Sequence, residues 1–492
     1  MTMRIFGGGR VSIDYTNSKM PPFSLLNEPN LSFNTDDTSL DVNPLRGLDR
    51  FGPHSSDVFP NFTPNVRLAT MGPQSGWTQM RGLVSTLRSH HAPADRKDYV
   101  PAFGGFEKVF GVPLVAADKN AHIKWKNDIY SPDTGQLPHF QLLNAMREGM
   151  DQLSIVRDQF DVDLVHLPEM WRSAFFAEGF NAHDELKALG AARGIPTQVI
   201  NDRSFSFGYK ASLAWRLSIA LYVKAGGVPW KLGPLQGVPQ HTAYIGLAYS
   251  LRSSEEGTKF VTCCSQVFDA DGGGMQFVAF EARDPVQETP DIRRNPYLSR
   301  SDMRAVMARS LNLYQSRNGG SLPRRLVVHK TTTFKQDEIE GALDAASGIP
   351  EVECIEINRS SAWRSVWLTE NKGSGARSQP DMYPVPRGTT LVQSGSSALV
   401  WVAGNAPDAS LDRNYYQGKK SIPKPLKLIR HAGTGPLECT ALEALALTKM
   451  DWNNDALYDP VPVTIRYSQT LAQTIANVPS LPGREYPYRL FM

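Results

Sequence analysis

From Val66 onward the chain alternates short apolar runs with stretches of helical periodicity. VRLATMGP (66–73) is a continuous apolar run that stops at a Gly-Pro turn, the pattern of a strand buried on both faces. A helical stretch follows around residues 76–90. VDLVHLPE (162–169) and PTQVI (196–200) are two further strand-like runs, each flanked by helical patterns. Strands alternating with helices predict a small parallel α/β domain of Rossmann type, placed at 65–235. Residues 21–64 are rich in Pro, Asn, Asp and Ser and read as an extended lead-in segment, so 1–64 is set apart.

The second half has a different texture. Residues 241–252, 259–269 and 275–283 are three strand-like runs in quick succession, joined by SSEEG and ADGGG turns that favour antiparallel hairpins. A helix follows, opened by Ser299 with Asp302 three residues on, a capping-box-like start. Met303, Val306, Met307 and Leu311 give it an apolar face. Then come a strand (324–332), a helix near 335–346 and a strand (352–359). Three hairpin strands, a helix, a strand, a helix and a strand is the order of a ribonuclease H-like core, placed at 236–492. The polar loop near 370–380 reads as mobile.

Composition narrows the function classes. The 492 residues are 41% hydrophobic and 21% charged, enough for two or three domains with a sizeable core. Basic and acidic residues nearly balance, 52 against 49, which excludes the strongly basic signature of a non-specific nucleic-acid coat. A nucleic-acid site must then be a local patch. Cys263, Cys264, Cys354 and Cys439 lack CxxC or finger spacing, which argues against structural zinc, and few cysteines suit a reducing cytosol. The first residues lack the apolar run of a secretion signal, and no stretch approaches the roughly 20 apolar residues of a membrane span. A soluble, cytoplasmic protein with no membrane partner is expected. GGGR (7–10) and DGGG (271–274) read as turns, and GPQSG (72–76) lacks the Lys-Ser/Thr of a phosphate loop.

One constellation points to an anion. His183 and Lys187 are four apart and share one helix face. Gln198 lies on the strand after the GIP turn, and Lys224 ends the next helix. Four donors that can converge, three of them cationic or able to become so, suit a terminal phosphate, whose desolvation must be offset by charge and several hydrogen bonds. Taken singly, each residue is better explained by a buried carboxylate partner or a plain charged surface.

The order His-(x3)-Lys-(x10)-Gln-(x25)-Lys, with GIPTQVI and KAGGVPWKL around it, resembles the guide 5′-phosphate pocket of Argonaute MID domains. DVNPLRGLDRFGP, FGGFEKVF (103–110), TAYIGLAYS, RRLVVHKTT and ALTKMDWNNDALYDPVPVTIRYSQTLA are similar to successive pieces of the same family, the last three to its PIWI domain. The resemblance implies a Rossmann-like MID domain followed by a ribonuclease H-like PIWI domain. It gives His183, Lys187, Gln198 and Lys224 the guide phosphate. Bacterial members often add a divalent ion held by the terminal carboxylate, which makes Met492, at the end of the apolar tail YPYRLFM, a candidate ligand for Mg²⁺. No upstream span accommodates the N and PAZ domains, which implies the short class. Its members work as heterodimers, open to oligomerisation on activation, with a partner carrying an APAZ region and an effector. That effector is sirtuin-like or TIR, both NAD-consuming, or a nuclease; NAD hydrolysis is favoured because two of the three types perform it. The implied guide is a short 5′-phosphorylated RNA, and the target single-stranded DNA from a plasmid or phage.

A ribonuclease H-type nuclease holds two divalent ions about 4 Å apart with several carboxylates. The PIWI pattern places its ligands at Ala248 in YIGLAYS, Thr331 in HKTTTF and Gln469 in TIRYSQTLA. Ala, Thr and Gln are poor ligands for a hard cation, so the chain is expected to bind without cutting. The fourth ligand, a Glu on a loop, has no assigned position. The alternative is an active guide-directed nuclease using other carboxylates, such as Asp269, Asp271 or Asp337. Arg430, His431, Lys449 and Arg466 are candidate contacts to the nucleic-acid backbone.

Overall fold

The computed structural model of the chain describes residues 4–5, 23–36, 38–129, 135–254, 257–267, 275–281, 297–370, 378–411, 414–418, 421–478, 481 and 485–492, with backbone alone at 4–5, 251–254, 257–267, 275–281, 370 and 378. The glycine runs at 7–10 and 271–274, Asp269 and Asp271, and residues 371–377 of the polar loop lie outside the described residues.

The lead-in segment is more structured than its polar composition predicts. It contributes strand β1 (Phe23–Leu25) and helix α1 (Pro44–Phe51). Asn43 starts α1, accepting from the amides of Leu45 and Arg46, and Pro44 suits the first helical turn. The same Asn43 side chain donates to the carbonyls of Tyr99 and Ala409 and pins the segment to distant chain.

The first lobe opens with β2 (Val66–Pro73) and α2 (Trp77–Arg88). Next come β3 (Leu114–Ala116), β4 (His122–Trp125) and α3 (Pro138–Ile155). It continues through β5 (Val162–His166), α4 (Ala182–Arg193), β6 (Thr197–Ile200) and α5 (Lys210–Lys224). Every pairing is parallel, in the order β6-β5-β2-β3, with β4 on the farther half of β2. Leu68, Val162 and Leu164 on one sheet face belong to a core with Leu83 of α2 and Trp215 of α5; Met71 and Val165 on the other pack with Met146 and Met150 of α3. This is the doubly wound parallel arrangement the alternation predicts.

The second lobe begins with β7 (Thr242–Ser254), β8 (Gly257–Val267) and β9 (Met275–Glu281), an antiparallel meander. Helix α6 (Arg300–Arg317), capped by Ser299, leads to β10 (Arg325–Lys330), which returns parallel to β7. Helix α7 (Gln336–Ala345) leads to β11 (Glu351–Asn358), parallel to β10. The order β9-β8-β7-β10-β11 is that of a ribonuclease H-like core. The sheet is longer than the sequence pattern suggests. Strands β12 (Thr389–Ser394), β13 (Ser397–Val400) and β14 (Leu426–Ala432), with β1, extend it beyond β11. Helices α8 (Leu437–Leu447) and α9 (Val463–Asn477) follow, and β15 (Glu485–Pro487) completes the other edge. No described helix is long and apolar enough to cross a membrane.

The lobes share one apolar core, in which Trp215 and Tyr222 of α5 belong with Trp452 and Leu471 of the second lobe. Polar ties reinforce it. The fully buried Asp455 accepts from Arg96 and Arg216, and Asp184 of α4 accepts from Thr474 and Asn477 of α9.

Candidate nucleic-acid interface

Three of the four residues expected at the phosphate come together in the first lobe. Asn181 caps α4 through the amides of His183 and Asp184, and Gly194, at φ 68°, closes it and turns the chain into β6. Lys187 thereby points from the buried face of α4 at β6, and its ammonium donates to the Thr197 carbonyl at 2.9 Å and to the main-chain oxygen of Met492. Lys224, at the end of α5, donates to the side-chain oxygen of Gln198 on β6. Both lysines are buried, at 3% and 1% exposure. Among the described residues, neither forms an ion pair with an Asp or Glu side chain.

Burial without such a pair shows in their proton affinity. Burial pulls Lys187 down to about 7, with the more distant Asp184 opposing. Lys224 falls well below the usual lysine range, from burial first and the Lys187 charge second. Two buried amines, one of them further depressed by the other's charge, are an electrostatic deficit that an incoming dianion would remove.

His183 is not part of this contact. It sits on the exposed first turn of α4, with Nδ1 3.7 Å from Asp184, and lines a neighbouring hollow with Asn201 and Arg203. Arg489 is a cation the sequence reading missed. Gly226, at φ 110° and two residues after Lys224, has space for a Cβ only 3.2 Å from the Arg489 guanidinium. Arg489 also presses on Arg157, whose pKa is lowered by burial first and then by that neighbouring charge. The one arginine in the apolar YPYRLFM tail was the available signal.

For a metal at this pocket, the donor set is thin. The oxygens at hand, Met492 O and the Gln198 amide, both face ammonium groups. Mg²⁺ takes six oxygen ligands but keeps several waters, so at these residues it would need most of its ligands from water or a bound phosphate.

The positions read as lost nuclease ligands lie on β7, just after β10 and on α9. β7 and β10 pair Gly246 with His329 and Leu247 with Lys330, and Ala248 and Thr331 are the residues that follow this last pair along the two chains. Helix α9 lies against this point. A Cβ on Gly246 would sit 2.0 Å from the Thr464 carbonyl, and the Thr464 hydroxyl bonds His329 Nδ1 at 2.9 Å. Burial, then the Arg325 charge, pushes His329 down to about 3, so it is neutral. Gln469 is exposed on α9 and Asp337 is exposed at the start of α7. No group of three or more His, Cys, Asp or Glu that could hold a metal occurs among the described residues.

The four candidate backbone contacts are engaged internally to different degrees. Lys449 is corrected to a structural role: it is 2% exposed, and its three N–H donors go to Glu28, Pro29 O and Val42 O. Arg430 is bound to Thr440 and Glu353, and His431 to Glu356 at 3.0 Å. Arg466 pairs with Asp459 but stays 43% exposed, the most accessible of the four.

No family model and no curated protein matches the chain. Among solved structures it is similar to Clostridium butyricum Argonaute bound to a guide DNA (5′ deoxycytidine) and a 19-mer target DNA, at TM-score 0.66 and 15% identity, covering 96% of this chain and 55% of that one. Drosophila Piwi gives 0.62 and 14%, covering 95% and 56%. A. aeolicus Argonaute gives 0.60 and 14%, covering 95% and 55%. The chain spans about half the length of each. Identities this low speak for the fold, and that fold is the mixed α/β architecture of the Argonaute MID and PIWI domains.

Proposed function

We propose that the chain is a guide-dependent nucleic-acid sensor that binds without cutting. A guide strand, RNA by the sequence resemblance, is held by its 5′-phosphate between Lys187, Gln198 and Lys224, with His183 and Arg489 at the margin. The observation that carries this is the pair of buried lysines with no acidic side-chain partner among the described residues. Phosphate would exchange for Met492 O at Lys187 and for the Gln198 oxygen at Lys224, and its charge would restore both ammonium groups. Magnesium enters this reading only as an ion whose ligands come mostly from the phosphate, with Met492 as one protein oxygen.

The guide would pair with single-stranded DNA, and pairing rather than side chains would read the target sequence. Ala248, Thr331 and Gln469 support the absence of cutting, since none offers a carboxylate to a divalent ion. The output is then assigned to an APAZ-containing partner bearing the effector, NAD-consuming or nuclease, in defence against plasmids or phage.

The test uses the chain co-purified with its genomic partner, a 5′-phosphorylated guide and a matched target, with Mg²⁺ and Mn²⁺ supplied. Guide-dependent target retention with intact target is the expected result. Cleavage by the chain alone would instead establish the nuclease alternative.

A further inference from the structure

The first sheet has a second open edge. β6, which carries Gln198, forms one edge, and β3 and β4 form the other. These two strands are three and four residues long and pair with successive halves of β2. The sheet therefore ends early beneath α2 and leaves a cleft of about 670 Å³, within the usual range for small-ligand sites of roughly 300–1,000 Å³.

Its chemistry is distinctive. The Trp77 indole forms one wall, with the His122 ring edge-on at 5.7 Å and the Lys124 ammonium 5.0 Å above its face. His122 Nε2 faces the Ala117 carbonyl at 3.1 Å and Nδ1 the Thr70 hydroxyl at 2.8 Å. A carbonyl only accepts, so Nε2 donates and Nδ1 takes the hydroxyl proton. Burial lowers the His122 pKa, and Lys124 adds to the effect. His122 is thus a neutral, fixed wall.

The charges are Arg81, Arg88 and Lys124. No Asp or Glu lines the cleft. Arg88 spends Nε on the Leu114 carbonyl and keeps its terminal nitrogens. Among the described residues none of the three forms an ion pair, whereas Arg67, Arg193 and Arg216 of the same lobe pair with Asp161, Asp151 and Asp455. An aromatic wall with unpaired cations suits a ligand that is flat at one end and anionic at the other.

We propose that this cleft is a second ligand site, for a nucleoside phosphate, with its base against Trp77 and its phosphate held by Arg81, Arg88 and Lys124. The site is independent of the lysine pocket. The test is calorimetric titration of the full chain in a Lys187→Ala/Lys224→Ala background, so that the first pocket contributes nothing. The probes are AMP, adenosine and inorganic phosphate. AMP should bind at least tenfold more tightly than either fragment. Adding Arg81→Ala/Lys124→Ala, both at exposed positions, should weaken AMP at least tenfold with an unchanged melting temperature. Three outcomes overturn the proposal: no AMP binding at millimolar concentration, AMP binding indifferent to the added pair, or either adenosine or inorganic phosphate binding as tightly as AMP.

Discussion

The two lobes treat buried cations in opposite ways. In the second lobe Arg325 forks onto Glu443 and also reaches Glu353, while Lys330 meets Glu338 at 2.5 Å inside a ring of Tyr249, Tyr297 and Phe334. Lys449 is held by Glu28 and two carbonyls. In the first lobe Lys187 and Lys224 lie equally deep and meet the Thr197 carbonyl, the main-chain oxygen of Met492 and the Gln198 amide, with no Asp or Glu side chain paired to them among the described residues. A buried charge with its counter-charge already in place belongs to the fold. Buried amines that lack an acidic side chain beside them leave room for a ligand's charge.

Removing a counter-charge from the second lobe should therefore hurt most. Glu443→Ala leaves Arg325 buried and the Tyr244 hydroxyl without its acceptor at 2.6 Å, and should cost roughly 3–5 kcal/mol in denaturant unfolding. The contact between Gly246 and α9 comes next: Gly246→Ala should cost about 1–3 kcal/mol as the helix is forced off the strand. The first lobe should respond in the opposite sense. Lys187→Met should leave the melting temperature unchanged or raise it, and a fall of more than a few degrees would break the comparison.

The pH dependence sharpens it. Lys187 has its folded pKa depressed to about 7, so from there up to the ordinary lysine value the folded state binds fewer protons than the unfolded one. Its contribution to stability accordingly rises with pH in that window. Guide phosphate favours the ammonium and should run the other way. Its gain in affinity should fall by ~3-fold or more between pH 7 and pH 9, read by titration at constant salt. Asp163, buried between β6 and β2 with both oxygens unpartnered, is pushed up to about 8 by burial alone. Its raised pKa means stability lost as pH rises toward 8, so Asp163→Asn should help more at pH 8.5 than at pH 5, seen as melting temperature. The smallest effect should be EDTA, which should reduce guide affinity less than loss of the two lysines.

Much of this was legible in the sequence. The periodicities placed β2, β5, β6 and the β7–β11 core within a few residues, because continuous or alternating apolar runs record two-sided and one-sided burial directly. The helix–strand–helix placement of Lys187, Gln198 and Lys224 was enough to expect them near one another. What could not be read was long-range. The partners of Lys449 lie more than 400 residues away in the chain, so a lysine that looked like surface is a clasp. Arg489 reaches the Lys224 turn only through the fold of the tail, and β1 and β13, three and four residues long, are too short to announce a sheet extension. His183 shares a helix face with Lys187, yet its place on the first exposed turn depends on the Asn181 cap.

The most direct test is the affinity of a short RNA with and without its 5′-phosphate, for the wild-type chain and for Lys187→Ala/Lys224→Ala, with the genomic partner present and salt held constant. The account predicts that the phosphate tightens wild-type binding tenfold or more, roughly 1.4 kcal/mol, and that the double variant loses that gain. Equal affinity for the two RNAs in the wild-type chain would contradict it.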